Sequence, residues 1–225
     1  MPNLDPPSIE SPEQFAEAFK VPRETIHSLY RYAELLTHWQ KSTNLVAPST
    51  LATLWSRHFA DSAQLLNLAP EARLWLDLGS GAGFPGLVVA ILASTVPDFR
   101  MHLLESTAKK CAFLAEVARA TKAPVDIHAM RIEDFARSAD TITPDIVSAR
   151  ALAPLPRLLG LAAPFFGADT RGLFLKGREA LEEVEAARRE WDATYRLHPS
   201  LTARDGHIVE VTDLHGSAKG GARRP

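Results

Sequence analysis

Apolar residues recur every three or four positions along the first part of the chain. Between Pro22 and Lys41 this spacing puts one apolar stripe on a helix, and Pro22 suits a first helical turn. A second helix is predicted from Ser49 or Thr50, either of which can cap it, to Leu65. The first 70 residues are therefore predicted to be helical.

From Arg73 onward, short apolar runs alternate with amphipathic segments. This alternation predicts a mostly parallel sheet with helices on both faces, a Rossmann-like α/β fold, and it ends in a predicted hairpin. We expect a helical N-terminal cap over 1–70, an α/β domain over 71–215 and a basic flexible tail over 216–225. The predicted strands are Leu74–Leu78, Met101–Glu105, Val125–His128, Asp145–Ala149, Gly172–Leu175, Ala193–Leu197 and His207–Thr212, and the predicted helices are Leu87–Ala93, Ala108–Thr121, Leu155–Ala163 and Arg178–Trp191.

Composition describes an ordinary globular chain of 225 residues, 46% hydrophobic and 23% charged. Cys111 is its single cysteine, so no intramolecular disulfide or cysteine metal cluster is expected, and a reducing cytoplasm is the expected compartment. No apolar run approaches the ~20 residues of a membrane span, and we expect a soluble monomer without a metal. A formal charge of −2 gives no global sign of nucleic-acid binding, so such a partner needs a local patch.

The segment Asp77–Gly86, with the sequence DLGSGAGFPG, carries the strongest chemical signal. Its glycines follow a predicted strand and precede a predicted helix. Glycine reaches positive φ and leaves backbone N–H groups uncovered, so a ligand can approach the main chain. The segment is therefore predicted to bind a nucleotide-type cofactor at the carboxyl edge of the sheet.

Two further predicted strands end in residues that suit an adenosine. Glu105 ends the second strand, where a carboxylate can accept hydrogen bonds from ribose hydroxyls. Ile132 and Glu133 follow the third strand, where they would flank an adenine, although a plain turn is an equally good interpretation. Arg150 follows the fourth strand and would contact a charged ligand group or only extend to solvent.

S-adenosylmethionine and a nicotinamide dinucleotide both use a glycine turn with a downstream acid. Asp77 favours the methyl donor, because a carboxylate beside the turn attracts the methionine ammonium group and repels a diphosphate. The alternatives left open are a NAD(P)-dependent oxidoreductase and a noncatalytic RNA-binding module on a methyltransferase-like fold.

The segment Asp77–Gly86 also resembles the signature of the bacterial 16S ribosomal RNA guanine-N(7) methyltransferases, once called glucose-inhibited division protein B. Similar motifs follow the family's order over much of the chain. Gln40 and Val46 stand where the family has Asn and Thr. Ala149 is either inserted between the family's Ser and Arg or stands where the family has Ser. The matching segments are Trp39–Val46 (WQKSTNLV), Arg57–Ser62 (RHFADS), Lys109–Leu114 (KKCAFL), Ser148–Ala151 (SARA) and Leu175–Gly177 (LKG).

The resemblance implies a class I S-adenosylmethionine-dependent methyltransferase that modifies ring nitrogen 7 of one guanine in 16S rRNA of the small ribosomal subunit. That nitrogen carries an in-plane lone pair and no proton, so we name no catalytic acid or base. The expected cofactor-binding residues are Gly79, Gly81, Phe84, Glu105, Ile132, Glu133 and Arg150. The expected RNA-binding residues are Asn44, Arg57, His58, Arg131 and Lys176, of which Arg57 could instead pair with Asp61 along a helix and His58 could be a buried, hydrogen-bonded histidine.

Overall fold

Seven strands form one sheet in the computed structural model, which describes residues 9–217. They are β1 (Leu74–Leu78), β2 (Arg100–Leu104), β3 (Val125–His128), β4 (Ile146–Arg150), β5 (Arg171–Lys176), β6 (Trp191–Pro199) and β7 (His207–Ser217). Their order across the sheet is β3-β2-β1-β4-β5-β7-β6. The first five strands run parallel, while β7 is antiparallel to both β5 and β6. The predicted strands and closing hairpin are confirmed, with ends moved by a few residues.

Helices cover both faces of this sheet and produce two separate apolar cores. Helices α2, α5 and α6 contribute to one core, and helices α7, α8 and α9 contribute to the other. Burial from both sides explains why apolar residues occupy consecutive positions at the start of β1 (Leu74–Leu76) and of β4 (Ile146 and Val147). The helices are α1 (Pro12–Phe19), α2 (Arg23–Gln40), α3 (Asp61–Ala63), α4 (Leu65–Leu68), α5 (Gly86–Leu92), α6 (Ala108–Thr121), α7 (Ile132–Phe135), α8 (Leu155–Ala162) and α9 (Ala180–Arg188), with a 3₁₀ turn at Ala163–Phe165.

The N-terminal region is helical but less regular than its apolar pattern predicts. Helix α1 was missed, although Ser11 and Gln14 form a capping box at its start. The continuous helix predicted from Ser49 or Thr50 to Leu65 is wrong. A 3₁₀ helix (Pro48–Thr53), a π-helix (Trp55–Ala60), α3 and α4 take its place.

The C-terminal end differs from the expected tail at two positions. Gly216 and Ser217 belong to β7, and the remainder of the predicted basic tail, 218–225, lies outside the described residues. Within the described range 9–217, no helix has both the length and the apolar character needed to cross a membrane.

Candidate cofactor site and active-site pocket

The glycine loop lies between β1 and α5, at the carboxyl edge of the sheet. Gly79, Gly81 and Gly83 have φ values of 63°, 58° and 89°, a region in which a side chain is strained. A Cβ on Gly79 would also lie 2.6 Å from Leu152 Cδ1. A Cβ on Gly81 would make only an ordinary contact of 3.7 Å with the Gly79 carbonyl oxygen, so the backbone angle alone favours glycine there. The loop is therefore the tight main-chain turn that the sequence predicts, half-buried at Gly79 and Gly81 and buried at Ser80 and over Ala82–Gly86.

Asp77 supports this loop from beneath and does not line the pocket. Its side chain is fully buried, and its two carboxylate oxygens accept hydrogen bonds from Ser148 Oγ at 2.8 Å and from Gly86 N at 3.3 Å. Burial raises the pKa of Asp77 to about 6, although the Ser148, Ser80 and Gly86 hydrogen bonds oppose the shift. The side chain of Asp77 thus does not contact the pocket directly, and its attraction for a methionine ammonium group stays a prediction. The carboxylate instead occupies the first N–H of α5, where a diphosphate would need a donor.

Glu105 joins the glycine loop to the start of α6. Its Oε2 accepts a hydrogen bond from Gly81 N at 2.9 Å, and its Oε1 accepts one from Thr107 N at 2.8 Å. A carboxylate has about four lone-pair positions, so two remain for ribose hydroxyls. Glu105 therefore keeps acceptor capacity beside the glycine loop, at the strand end where the sequence predicts a ribose.

A pocket of about 1040 Å³ opens beside the loop. It is lined by strand ends, the N-terminal irregular helices and the loop between β6 and β7. The lining brings together predicted residues from distant parts of the chain: Gly79, Gly81, Phe84, Arg57, His58, Arg150 and Lys176. Five other predicted residues lie outside this lining, namely Glu105, Ile132, Glu133, Arg131 and Asn44.

Arg150 connects the pocket floor to the N-terminal region. Its guanidinium lies 4.8 Å from the Phe84 ring centroid, and its Nη1 donates to the backbone oxygen of Arg57 at 3.0 Å and lies 3.4 Å from Asp61 Oδ2. Its Nη2 lies 2.6 Å from His58 Nδ1. Asp61 is therefore paired with Arg150, and the predicted Arg57–Asp61 helical pair is not seen.

His58 is buried between the Phe84 ring and Thr50. Its ring stacks on Phe84 with centroids 4.7 Å apart, and its Nε2 lies 2.8 Å from Thr50 Oγ1. Burial, reinforced by the positive charges of Arg150 and Arg57, lowers the pKa of His58 to about 3. His58 is therefore a neutral, hydrogen-bonded part of the pocket wall.

Comparison with known proteins agrees with this geometry. The family model described as rRNA small subunit methyltransferase G matches residues 25–209. The chain belongs to this family.

Its curated relatives are similar over nearly their whole length. A ribosomal RNA small subunit methyltransferase G from Parvibaculum lavamentivorans is 51% identical over 93% of this chain and 92% of its own. The protein of the same name from Methylorubrum extorquens is 51% identical over 86% of this chain and 91% of its own. The chain is thus an S-adenosylmethionine-dependent methyltransferase.

Solved structures show the same fold at low sequence identity. An O-methyltransferase from Bacillus cereus in complex with SAH superposes with a TM-score of 0.58, 14% identity, and coverage of 89% of this chain and 96% of its own. A mutant of MtNAS in complex with S-adenosylmethionine gives a TM-score of 0.52, 15% identity, and coverage of 92% and 85%. The predicted class I methyltransferase fold is confirmed.

The predicted adenine-side residues of this methyltransferase lie on α7, next to the carboxyl end of β3. Ile132 is buried, whereas Glu133 and Arg131 are exposed. Asn44 is also exposed, in the loop after α2. Gln40 holds that loop, because its Oε1 accepts from Leu45 N and Val46 N and its Nε2 donates to Val46 O.

Sequence reasoning missed Tyr32, a fully buried residue of α2 that supports the glycine loop. Its hydroxyl donates a hydrogen bond to the Ala82 carbonyl oxygen. Its ring stacks on Phe84, with centroids 5.3 Å apart and an interplanar angle of 17°. The helical spacing of α2 could have predicted that Tyr32 faces the core. It could not have predicted that the hydroxyl bonds to the Ala82 carbonyl oxygen.

Proposed function

We propose that this protein transfers a methyl group from S-adenosylmethionine to ring nitrogen 7 of a guanine in 16S rRNA of the small ribosomal subunit. The observation that carries the proposal is the pocket in which the glycine loop and Arg150 lie together, in a chain of the rRNA small subunit methyltransferase G family. The relatives' printed names supply the small-subunit rRNA as substrate.

The proposed chemistry needs few catalytic side chains. Bound S-adenosylmethionine supplies the methyl group, and the nitrogen 7 lone pair forms the new C–N bond as the C–S bond breaks and its electron pair stays on sulfur. No proton leaves nitrogen 7, so no general base is required. This agrees with a pocket whose His58 is held neutral by burial and whose Asp61 is paired with Arg150. The protein's contribution is alignment, for which effective molarities of about 10⁵ M or more are available.

The proposed cofactor site extends from the pocket along the strand ends. Gly79, Gly81 and Phe84 form its main-chain turn, and Glu105 accepts the ribose hydroxyls with the lone pairs left free by Gly81 and Thr107. Ile132 provides apolar contact to the adenine and Glu133 a polar one. Arg150 fixes the Phe84 ring and the N-terminal wall beside the methionine end.

The proposed RNA contacts surround the same opening. Base edges of an A-form helix are poorly accessible, so the target guanine must be single-stranded or extruded into the pocket. Arg57 is exposed at the pocket rim, and Asn44 is exposed next to Leu45 of the pocket lining. Arg131 is exposed farther along the strand ends, after β3. His58 shapes the pocket wall. The sequence predicts that Lys176 contacts an RNA phosphate, and the contacts of Lys176 are described below.

Two other functions make different predictions for the same protein. A NAD(P)-dependent oxidoreductase would bind a dinucleotide, and a noncatalytic module would bind S-adenosylmethionine or RNA without transferring a methyl group. Calorimetry with S-adenosylmethionine and with NAD, followed by a transfer assay on small subunits, separates all three. We expect binding of the methyl donor, no binding of NAD and transfer to RNA. Binding of NAD alone, or donor binding without transfer, would refute the proposal.

The proposal includes a monomeric enzyme that acts in the cytoplasm and without a metal ion. Light scattering on the purified protein tests the monomer, and methyl transfer in the presence of a chelator tests the metal.

A further inference from the structure

Lys176 ends β5 at the pocket but keeps its ammonium group inside the protein. Its side chain is 8% exposed. Its Nζ donates to the Ala153 carbonyl oxygen at 2.7 Å and to Glu183 Oε2 at 2.7 Å. Two of its three N–H donors are therefore used, and a carboxylate 2.7 Å away offsets its charge.

Glu183 accepts hydrogen bonds through one carboxylate oxygen from Lys176 and from the start of the helix that follows Ala153. Its Oε2 accepts a hydrogen bond from Leu155 N at 2.5 Å, at the first residue of α8. It thereby caps α8 from a different helix, because α8 has no side-chain cap of its own at Pro154. Lys176 and Glu183 together hold Ala153 O and Leu155 N.

The segment 151–154 depends on such outside support. It links β4 to α8, and Ala151 has a φ of 53°, in the left-handed region that costs a residue with a Cβ about 1–2 kcal/mol. Leu152 of this segment fills the space beside Gly79 into which a Cβ would project. All four residues line the pocket. The position of the segment therefore determines the pocket wall beside the first glycine of the loop.

We propose that Lys176 and Glu183 are positioning residues that set this wall for methyl transfer, and that Lys176 is not a phosphate contact. The inference rests on the proposed function. A shift of about 1 Å in a wall that aligns donor and acceptor costs on the order of 10²-fold in rate. A lysine that contacts an RNA phosphate would instead release a counterion and contribute about one charge to the salt dependence of binding.

Two substitutions and their combination separate the two roles. Lys176→Met and Glu183→Met remove the charges while keeping the side chains long and apolar, and Glu183→Gln is a milder variant that keeps one acceptor oxygen. Rate and RNA affinity are measured for each variant at several salt concentrations. The matched control is the Arg188–Glu185 pair on the same helix α9, whose side chains are 52% and 70% exposed.

We expect both Met variants to lower kcat at least tenfold, with an unchanged salt slope for RNA binding. The double variant should lose about as much as either single variant, because the two residues act through one contact. Glu183→Gln should fall between wild type and Glu183→Met, and Arg188→Met and Glu185→Met should keep the wild-type kcat. The inference is overturned if Lys176→Met flattens the salt slope by about one charge while Glu183→Met leaves kcat unchanged.

Hydrogen exchange gives a second readout that does not depend on activity. In Lys176→Met and Glu183→Met, the amide of Leu155 and those of Ala151, Leu152 and Ala153 should exchange at least tenfold faster, because Leu155 N loses its acceptor or that acceptor loses its bond to Lys176. Wild-type exchange rates in this segment would overturn the inference even if the methyl-transfer assay showed no activity. If the wild-type protein transfers no methyl group to RNA, the proposed function is refuted. Hydrogen exchange then still tests whether Lys176 and Glu183 hold the segment.

Discussion

The hydroxyl of Tyr32 donates a hydrogen bond to the carbonyl oxygen of Ala82, which joins the N-terminal helical region to the glycine loop. The same side chain occupies the space next to Gly83, where a Cβ would lie 2.6 Å from its oxygen. Helix α2 therefore supports the glycine loop directly, and the proposed cofactor site depends on residues that precede the sheet.

Tyr32→Phe should leave the Ala82 carbonyl oxygen buried without a donor. We expect a loss of about 1–3 kcal/mol in the free energy of unfolding and weaker S-adenosylmethionine binding. Chemical denaturation and calorimetry measure the two effects. Tyr30→Phe is the control, because Tyr30 is 48% exposed and should change neither quantity. Wild-type donor affinity in Tyr32→Phe would show that the hydrogen bond does not shape the turn.

Gly79→Ala should abolish or strongly weaken cofactor binding, because it places a Cβ against Leu152 at a φ of 63°. Gly160→Ala is the control, since it lies on α8 with only an ordinary contact of 3.5 Å to Trp191. Helix propensity predicts that this control is stabilised by up to about 1 kcal/mol. If Gly79→Ala bound the donor as tightly as Gly160→Ala, the loop would not be the cofactor cradle.

Glu105→Gln keeps the size of the side chain but replaces one acceptor oxygen with a donor. The amide cannot accept from both Gly81 N and Thr107 N, and its interaction with ribose hydroxyls is weaker. We expect the Kd for S-adenosylmethionine to rise at least tenfold, or about 1.4 kcal/mol. Titration calorimetry measures it, with the exposed Glu179→Gln as control. Equal affinities for the two variants would exclude Glu105 from the ribose site.

His58 should make the protein less stable as the pH falls. Its pKa is about 3 in the folded state, below the ordinary value of 6.5, so the unfolded chain binds the extra proton between these values. Its contribution to the free energy of unfolding is fully present above about pH 6.5 and is lost on acidification toward pH 3, by at most about 1.4 kcal/mol per pH unit.

Denaturation curves between pH 7 and pH 4 test this directly. The dependence should flatten in His58→Gln and stay as in wild type in His27→Gln, whose side chain is exposed. Asp77 acts in the opposite direction, because its raised pKa of about 6 lets the folded state hold a proton that the unfolded chain releases. The free energies of unfolding of wild type and variant are therefore compared at the same pH, because the contribution of Asp77 is then the same in both proteins and cancels. A wild-type slope in His58→Gln would contradict the assignment.

Local patterns predict the elements that the chain forms by itself. The glycine loop and Glu105 were predictable because a strand, a turn and a downstream acid occur in a fixed order along the chain. The break in the second helix was not predictable. The π-helix brings the Arg57 carbonyl and the His58 ring to Arg150, and the first residue of α3 adds the Asp61 carboxylate. This tertiary contact overrides the helical periodicity.

The partners of the charged residues could not be predicted from the sequence either. Lys176 at a strand end is compatible with a phosphate contact, and only the packing of α9 shows that Glu183 takes its charge. Asp77 has the right position in the motif, yet its side-chain direction depends on Ser148 of a strand distant along the chain. The types and spacing of the residues therefore predicted several segments that meet at the pocket, but they did not show which polar side chains face inward.

Methyl transfer to a single guanine tests the central claim most directly. Small ribosomal subunits from a strain that lacks this enzyme are incubated with tritiated S-adenosylmethionine and the purified protein, and the RNA is then treated with borohydride and aniline, which cleave at 7-methylguanine. We predict that tritium enters 16S rRNA and that one new cleavage site appears. Tritium-free RNA, or labelled RNA that is not cleaved at a guanine, would contradict the proposed function.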